Sequence, residues 1–166
     1  KGRRNKVIFV GDVNTIARTN IQPTEFKLKE TSLYAFSDTI PVNDEFKLAS
    51  FIVAGAGDLV DQTDLSSTSI VRPDETSSDA LQEKVEVVMK VMGERLSCMG
   101  VGWDKVSSVN IYTTIPIHTL IVDSVLTPIG EASLNVVHWY YSNPPIKGLD
   151  YEMGVRCLAK ELVIEL

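Results

Sequence analysis

The sequence predicts a single α+β domain, a sandwich in which a mixed β-sheet carries two helices on one face. Three observations predict it. Runs rich in β-branched and aromatic residues alternate with helical patterns in the order strands, helix, strand, helix, strands, as a sheet covered on one side requires. One helical segment has a single apolar stripe, which suits an element laid on a sheet. A second is apolar almost all round, which suits deep burial or a subunit contact. At 166 residues the chain is of one-domain size and needs no disulfide or metal to hold a core. Residues 1–166 are therefore taken as one domain, with a divergent N-terminal strand and loops over 1–45 and a long polar loop over 58–79.

In chain order, Val7-Ile8-Phe9-Val10, closed by Gly11-Asp12, predicts a short strand. Residues 12–45 carry scattered Asn, Thr and Pro and predict loop, with one short strand near Leu33-Tyr34-Ala35-Phe36. FKLASFIVAGA over 46–56 predicts a stronger strand, and Gly55-Ala56-Gly57 a turn at its end that needs positive φ. The dinucleotide fingerprint would need a third glycine where Val60 stands, and no Gly-Lys-Ser/Thr follows, so no nucleotide site is expected. Residues 58–79 are rich in Ser, Thr and Asp and read as a loop too polar to pack.

From about Ala80 to Met99, Leu81, Val85, Val88, Met92, Leu96 and Met99 recur at helical spacing, while Glu83, Lys84, Glu86, Lys90, Glu94 and Arg95 fill the other side. Asp79 and Gln82 resemble a capping box, and Gly100 and Gly102 supply the stop. VSSVNIYTT over 106–114 predicts a strand. Residues 117–127 predict the second helix, ended by Pro128 and Gly130. LNVVHWYY over 134–141 predicts a strand, and Ser142-Asn143-Pro144-Pro145 a turn. A last strand runs through LDYEMGVRCL, and the closing AKELVIEL could be helical.

Composition excludes several function classes. Sixteen Lys and Arg against 22 Asp and Glu give a net charge of −6, which argues against nucleic acid or an anionic membrane as partner. No apolar run approaches the ~18 residues of a membrane span. The basic start, KGRRNK, precedes an apolar run too short for a signal peptide. Cys98 and Cys157 are too few for a disulfide framework or a thiolate zinc site and read as packing residues; His118 and His138 lie far apart and share no ligand spacing, so no metal is expected. The expectation is a soluble protein of a reducing compartment, the cytoplasm.

Chemistry concentrates in the last fifth of the chain. On a strand, Asp150, Glu152, Gly154 and Arg156 share one face, with Glu152 and Arg156 about 13 Å apart at Cα. Such a pair suits a small carboxylate substrate, Arg156 clamping the carboxylate and Glu152 serving as acid, base or water-orienting group. The bland alternative is an ordinary surface pair on a solvated edge strand. Val136, His138 and Tyr140 likewise share a face, as do Asn110, Tyr112 and Thr114, and His138 among aromatics alone would suit a structural role.

The passage from LQEKVEVVMKVMGERLSCMG through WDKVSSVNIYTT to a buried helix and a closing acidic strand resembles the Rid family of enamine/imine deaminases. Gly102-Trp103-Asp104-Lys105-Val106 matches that family's entry into the strand, and Asp150-Tyr151-Glu152 its acidic last strand; the likeness covers about residues 46–160. The family's Pro-Ala-Arg motif is missing, Gly130-Glu131-Ala132-Ser133-Leu134 standing there, so the carboxylate-binding cation would have to be relocated to Arg156 or Arg72. The resemblance implies a chorismate mutase-like fold and a homotrimer centred on a sheet-lined barrel, with active sites between subunits. It also implies cofactor-free hydrolysis of a 2-amino-2-enoate or 2-imino acid to the 2-oxo acid and ammonia. Glu152 would then be catalytic, with Arg156, Asn110, Tyr112, His138 and Tyr140 binding substrate, and the missing motif suggests a 2-aminomuconate-type dicarboxylate. The alternatives are a non-catalytic trimeric protein that binds a small carboxylate, favoured by the missing motif, and a chorismate mutase-like enzyme, disfavoured by the shortage of cations.

Overall fold

The structure is a computed structural model that describes residues 9–10, 13–14, 20–38 and 50–162. The expected strand residues Val7, Ile8 and 46–49, and the chain from 163 onward, lie outside them.

Among the described residues four strands form the main sheet: β4 (Phe51–Gly57), β5 (Ser108–Tyr112), β6 (Val136–Tyr140) and β8 (Glu152–Cys157), in the order β4-β8-β5-β6. β8 runs antiparallel to both neighbours, whereas β5 and β6 are parallel. Short pairs flank it: β1 (Phe9–Val10) with β2 (Val13–Asn14), and β3 (Gln22–Pro23) with β7 (Ser142–Asn143). The mixed sheet with helices on one face is the predicted α+β architecture.

Helix α1 (Ser78–Cys98) lays Leu81, Val85, Val88, Met92 and Leu96 on Val53, Val109, Ile111, Met153 and Val155. Each such side chain, removed from water, contributes about 1.5–3 kcal/mol. Gly100, at φ 71, ends the helix, with the Val101 N–H returning to the Leu96 carbonyl. Met99, expected on the stripe, lies past the helix end and is exposed, as is Cys98, which therefore is not a packing residue. The expected capping box is not formed. Asp79 sits inside the first turn and accepts from Arg72 at 2.7 Å, and Gln82 donates to Glu86 at 2.8 Å.

The second helical stretch differs from expectation in position and kind. It turns as a π-helix over Val122–Leu126, as α2 over Thr127–Ile129, and as a 3-10 helix over Gly130–Leu134. Pro128 lacks an N–H and its ring would collide with the Ser124 carbonyl in α geometry, so the chain widens before it instead of stopping. Val122 is exposed, while Leu120, Val125, Ile129 and Ala132 are buried in the α1 core.

Three further expectations are corrected. Leu33, Tyr34 and Phe36 are 80, 82 and 81% exposed in irregular chain, not a strand, because no described strand lies beside them to pair with. The loop over 58–79 packs at its ends: Leu59 bridges Ile70, and both join Leu149 in a small second core. Gly55 and Gly57 lie within β4 and neither has positive φ; close neighbours, not a turn, keep them small. The possible closing helix is irregular over 159–162. No described helix is long and apolar enough to cross a membrane.

Candidate functional site

Tyr151, just before β8, and Met153 and Val155 on it pack in the core with α1, so Glu152, Gly154 and Arg156 face the opposite side of the sheet. Register extends this face across three strands. Arg156 pairs with Ser108, which pairs with Val136; Gly154 with Asn110 and His138; Glu152 with Tyr112 and Tyr140. The predicted site residues Glu152, Arg156, Asn110, Tyr112, His138 and Tyr140 thus share one surface. Asp150 does not join them, because it precedes β8 and turns to Lys84.

Aromatic and amide groups line this surface from its middle row to the Glu152 end. Tyr112 and Tyr140 stack with centroids 5.1 Å apart, and His138 lies 5.8 Å from Tyr140. Asn110 donates to the Tyr112 hydroxyl at 3.3 Å. Burial pushes the Tyr112 hydroxyl upward and the Tyr140 hydroxyl up to about 12, so both remain proton donors at neutral pH. Among the described residues, the buried Ser108 Oγ and Asn110 Oδ1 have no hydrogen-bond partner. Arg156 is held by Glu161, its Nη2 donating to Oε1 at 2.7 Å.

At the other end of the face, Glu152 is only 4% exposed. It lines a cleft of about 320 Å³ with Gly55, Gly57, Gln62, Leu65 and Arg95. The floor is bare backbone: a Cβ on Gly55 would lie 2.0 Å from Glu152 Oε1. β4 shifts register between Val53 and Ala56. Arg95, from the last turn of α1, donates through Nη1 to the carbonyls of Ala54 (2.8 Å) and Gly55 (3.0 Å) inside that irregularity. Burial pulls the Arg95 pKa down and the nearby Glu152 charge opposes this.

A buried ion cluster fixes where β8 begins. Lys84 Nζ lies 2.6 Å from Asp150 and 3.5 Å from Asp58, and both Lys84 and Asp58 are fully buried. The Asp58 carboxylate also accepts the N–H groups of Asp150 and Tyr151, each at 3.2 Å. Burial raises the Asp58 pKa, while the Tyr151 N–H and the Lys84 charge pull it back. Glu152 follows directly on this anchored pair, so its position is inherited from α1.

Helical spacing alone puts Arg95 and Lys84 on the polar side of α1 and gives neither a place in the site. Nothing local marks either one, since their partners lie on β4 and before β8. Arg72, the other candidate cation, is taken up by Glu75, Asp79 and Glu83. Among the described residues no three His, Cys, Asp or Glu side chains are grouped to hold a metal.

Residues 3–162 match the family model of the 2-aminomuconate deaminase CnbZ. A 2-amino-5-chloromuconate deaminase of Comamonas testosteroni is 38% identical over 157 residues, covering 95% of this chain and 62% of that enzyme. The chain therefore spans under two thirds of that relative's length. Among solved structures, an L-PSP protein from Entamoeba histolytica is 16% identical over 86% of this chain and 97% of its own, with a TM-score of 0.50. A protein from Thermotoga maritima is 14% identical over 78% of this chain and 91% of its own, also with a TM-score of 0.50. At such identities the two structures share the fold alone.

Proposed function

Since the chain belongs to the 2-aminomuconate deaminase CnbZ family and has the Rid-type fold its sequence resembles, we propose that it is a hydrolytic deaminase of 2-amino-2-enoates, with a 2-aminomuconate-type dicarboxylate as substrate. The observation that carries this reading is the placement of Glu152. A nearly buried carboxylate lies over a side-chain-free floor in a cleft it shares with a cation, at the end of a face lined by Tyr112, Tyr140, Asn110 and His138.

The chemistry needs a group that gives and takes protons beside an electrophilic carbon, and no metal or organic cofactor. Protonation of the enamine at C3 gives the C2 iminium. Glu152 takes a proton from water as the water oxygen bonds to C2, and the proton passes to the nitrogen. The C–N bond then breaks as the carbinol O–H is lost, leaving the 2-oxo acid and ammonia. A positioned carboxylate of this kind contributes about 100- to 10,000-fold. In the same reading Arg156 binds a substrate carboxylate in exchange for Glu161, and Asn110, Tyr112, His138 and Tyr140 bond the nitrogen or the second carboxylate.

The reading extends to a single-domain, cytoplasmic homotrimer with sites between subunits. Exposed Leu33, Tyr34, Phe36, Trp139 and Tyr141, and two cysteines without a disulfide, support it. The test is ammonia release from 2-aminomuconate and from freshly generated 2-aminoacrylate by the protein and by Glu152→Gln. Turnover that collapses in the folded variant supports the deaminase. Unchanged turnover removes Glu152 from the mechanism, and binding without turnover in the parent protein favours a carboxylate-binding protein.

A further inference from the structure

The cleft beside Glu152 contains a cation whose bonding is incomplete. Arg95 spends only Nη1 on the Ala54 and Gly55 carbonyls. Among the described residues it makes no ion pair, and its Nε and Nη2 make no hydrogen bond. A guanidinium offers five N–H donors in a planar fork, matched to a carboxylate taken through two parallel bonds. Half-buried as it is, the group has lost part of its hydration, and the nearby Glu152 charge offsets this without a hydrogen bond to the open edge of the fork among the described residues.

Arg95 and Glu152 also converge on one residue. Arg95 Nη1 is 3.0 Å from the Gly55 carbonyl, and Glu152 Oε1 occupies the space a Gly55 side chain would fill. A carboxylate on the guanidinium would therefore place its adjacent carbon beside Glu152. In a 2-amino-2-enoate that adjacent carbon is C2, the one that water must attack. Arg156, which exchanges Glu161 for a carboxylate in the deaminase reading, lies four residues along β8 from Glu152 and is placed for the distal carboxylate, not for C1.

Resting on the deaminase reading of this cleft, we infer that Arg95 is the anchor for the substrate's C1 carboxylate, binding it through the open edge of the guanidinium and so setting C2 beside Glu152. Its position on α1 explains how the chain dispenses with an Arg at residues 130–134. The bonds to Ala54 and Gly55 orient the fork rather than occupy it.

The test uses cis,cis-muconate, an unreactive dicarboxylate, with its dimethyl ester as the neutral control. Binding to the parent protein, Arg95→Lys and Arg95→Gln is measured by calorimetry, beside melting curves and the kinetics of 2-aminomuconate. Lysine keeps the charge and can still reach a carbonyl, but it lacks the fork. The expected result is muconate binding weakened about 10- to 100-fold in both folded variants, with KM rising by a similar factor and kcat changing less. The ester should bind neither the parent nor the variants. Muconate binding that is equal in parent and folded variants overturns the anchor and leaves the deaminase reading intact. Arg95-dependent muconate binding in a protein that releases no ammonia keeps the anchor and removes the deaminase. A parent protein that binds no muconate overturns the anchor.

Discussion

Adding one methyl group at Gly55 tests whether the Glu152 carboxylate works where it stands. In Gly55→Ala the new Cβ would sit 2.0 Å from Oε1, 2.7 Å from Cδ and 3.1 Å from Cγ of Glu152, where ordinary contact begins at 3.4 Å. The carboxylate must therefore retreat by about 1.4 Å, the difference between 3.4 and 2.0 Å. Gly55 has no positive φ, so its backbone accepts alanine, and the obstructing atoms belong to the Glu152 side chain and not to backbone, so the carboxylate is what must give way. Stability should fall by only about 1 kcal/mol, at the low end of overpacking. A displacement of about 1 Å at a reacting group costs about 100-fold in rate, so kcat should drop by that order. Gly57→Ala is the control, because its Cβ would meet Leu149 Cδ1 at 2.3 Å and not the carboxylate. Steady-state ammonia release with melting curves for both variants reads the difference. A folded Gly55→Ala protein within fivefold of the parent kcat, or no worse than Gly57→Ala, refutes the reasoning.

Three other expectations follow from buried or paired groups. Lys84→Met leaves fully buried Asp58 without its cation, and should cost about 3–5 kcal/mol and lower Tm by about 6–20 °C in thermal unfolding; a fall of about 2 °C or less would contradict it. Tyr151→Phe removes a fully buried hydroxyl that has no hydrogen-bond partner among the described residues, so urea unfolding should show stability unchanged or raised by about 1 kcal/mol. Hydrogen bonding to Arg72 holds Asp79 down at about 2, below the ordinary 3.8. That contribution is therefore present above pH 3.8 and lost as pH falls through about 2. The Tm gap between the parent and Arg72→Gln should accordingly be open at pH 7 and close in strong acid; a gap independent of pH would count against it.

The elements that sequence periodicity located are those whose signal is local. α1 shows its stripe in its own residues, and β5, β6 and β8 show alternation or β-branched runs. Phase breaks were not legible. Leu120 and Val125 are both buried but five residues apart, because a π-turn separates them. Read with a constant period, that spacing makes the segment look apolar all round. β-propensity misled at Leu33–Phe36, where strand-forming residues have no described neighbour to pair with. In the site, the common face of Glu152 and Arg156 was readable because alternation along one strand suffices. The cluster of Asp58, Lys84 and Asp150, and the placement of Arg95, were not, because each depends on long-range packing. Sequence alone suggests backbone freedom as the reason for Gly55, whereas its reason in the fold is a carboxylate that arrives from β8.

The position of β8 in the sheet has a kinetic consequence. It is the last of the described strands in the chain, yet it lies second in order, between β4 and β5. Until it docks, β4 has no described neighbour in the main sheet, and Asp58 waits for backbone groups 92 and 93 residues away. Closing such long loops slows folding and leaves an unpaired edge exposed during synthesis. A nascent chain that has made α1 but not residue 150 would present the apolar stripe of that helix and the bare edge of β4 to chaperones. The strand that completes the sheet also brings Glu152, so the main sheet and the candidate catalytic centre should mature in the same step.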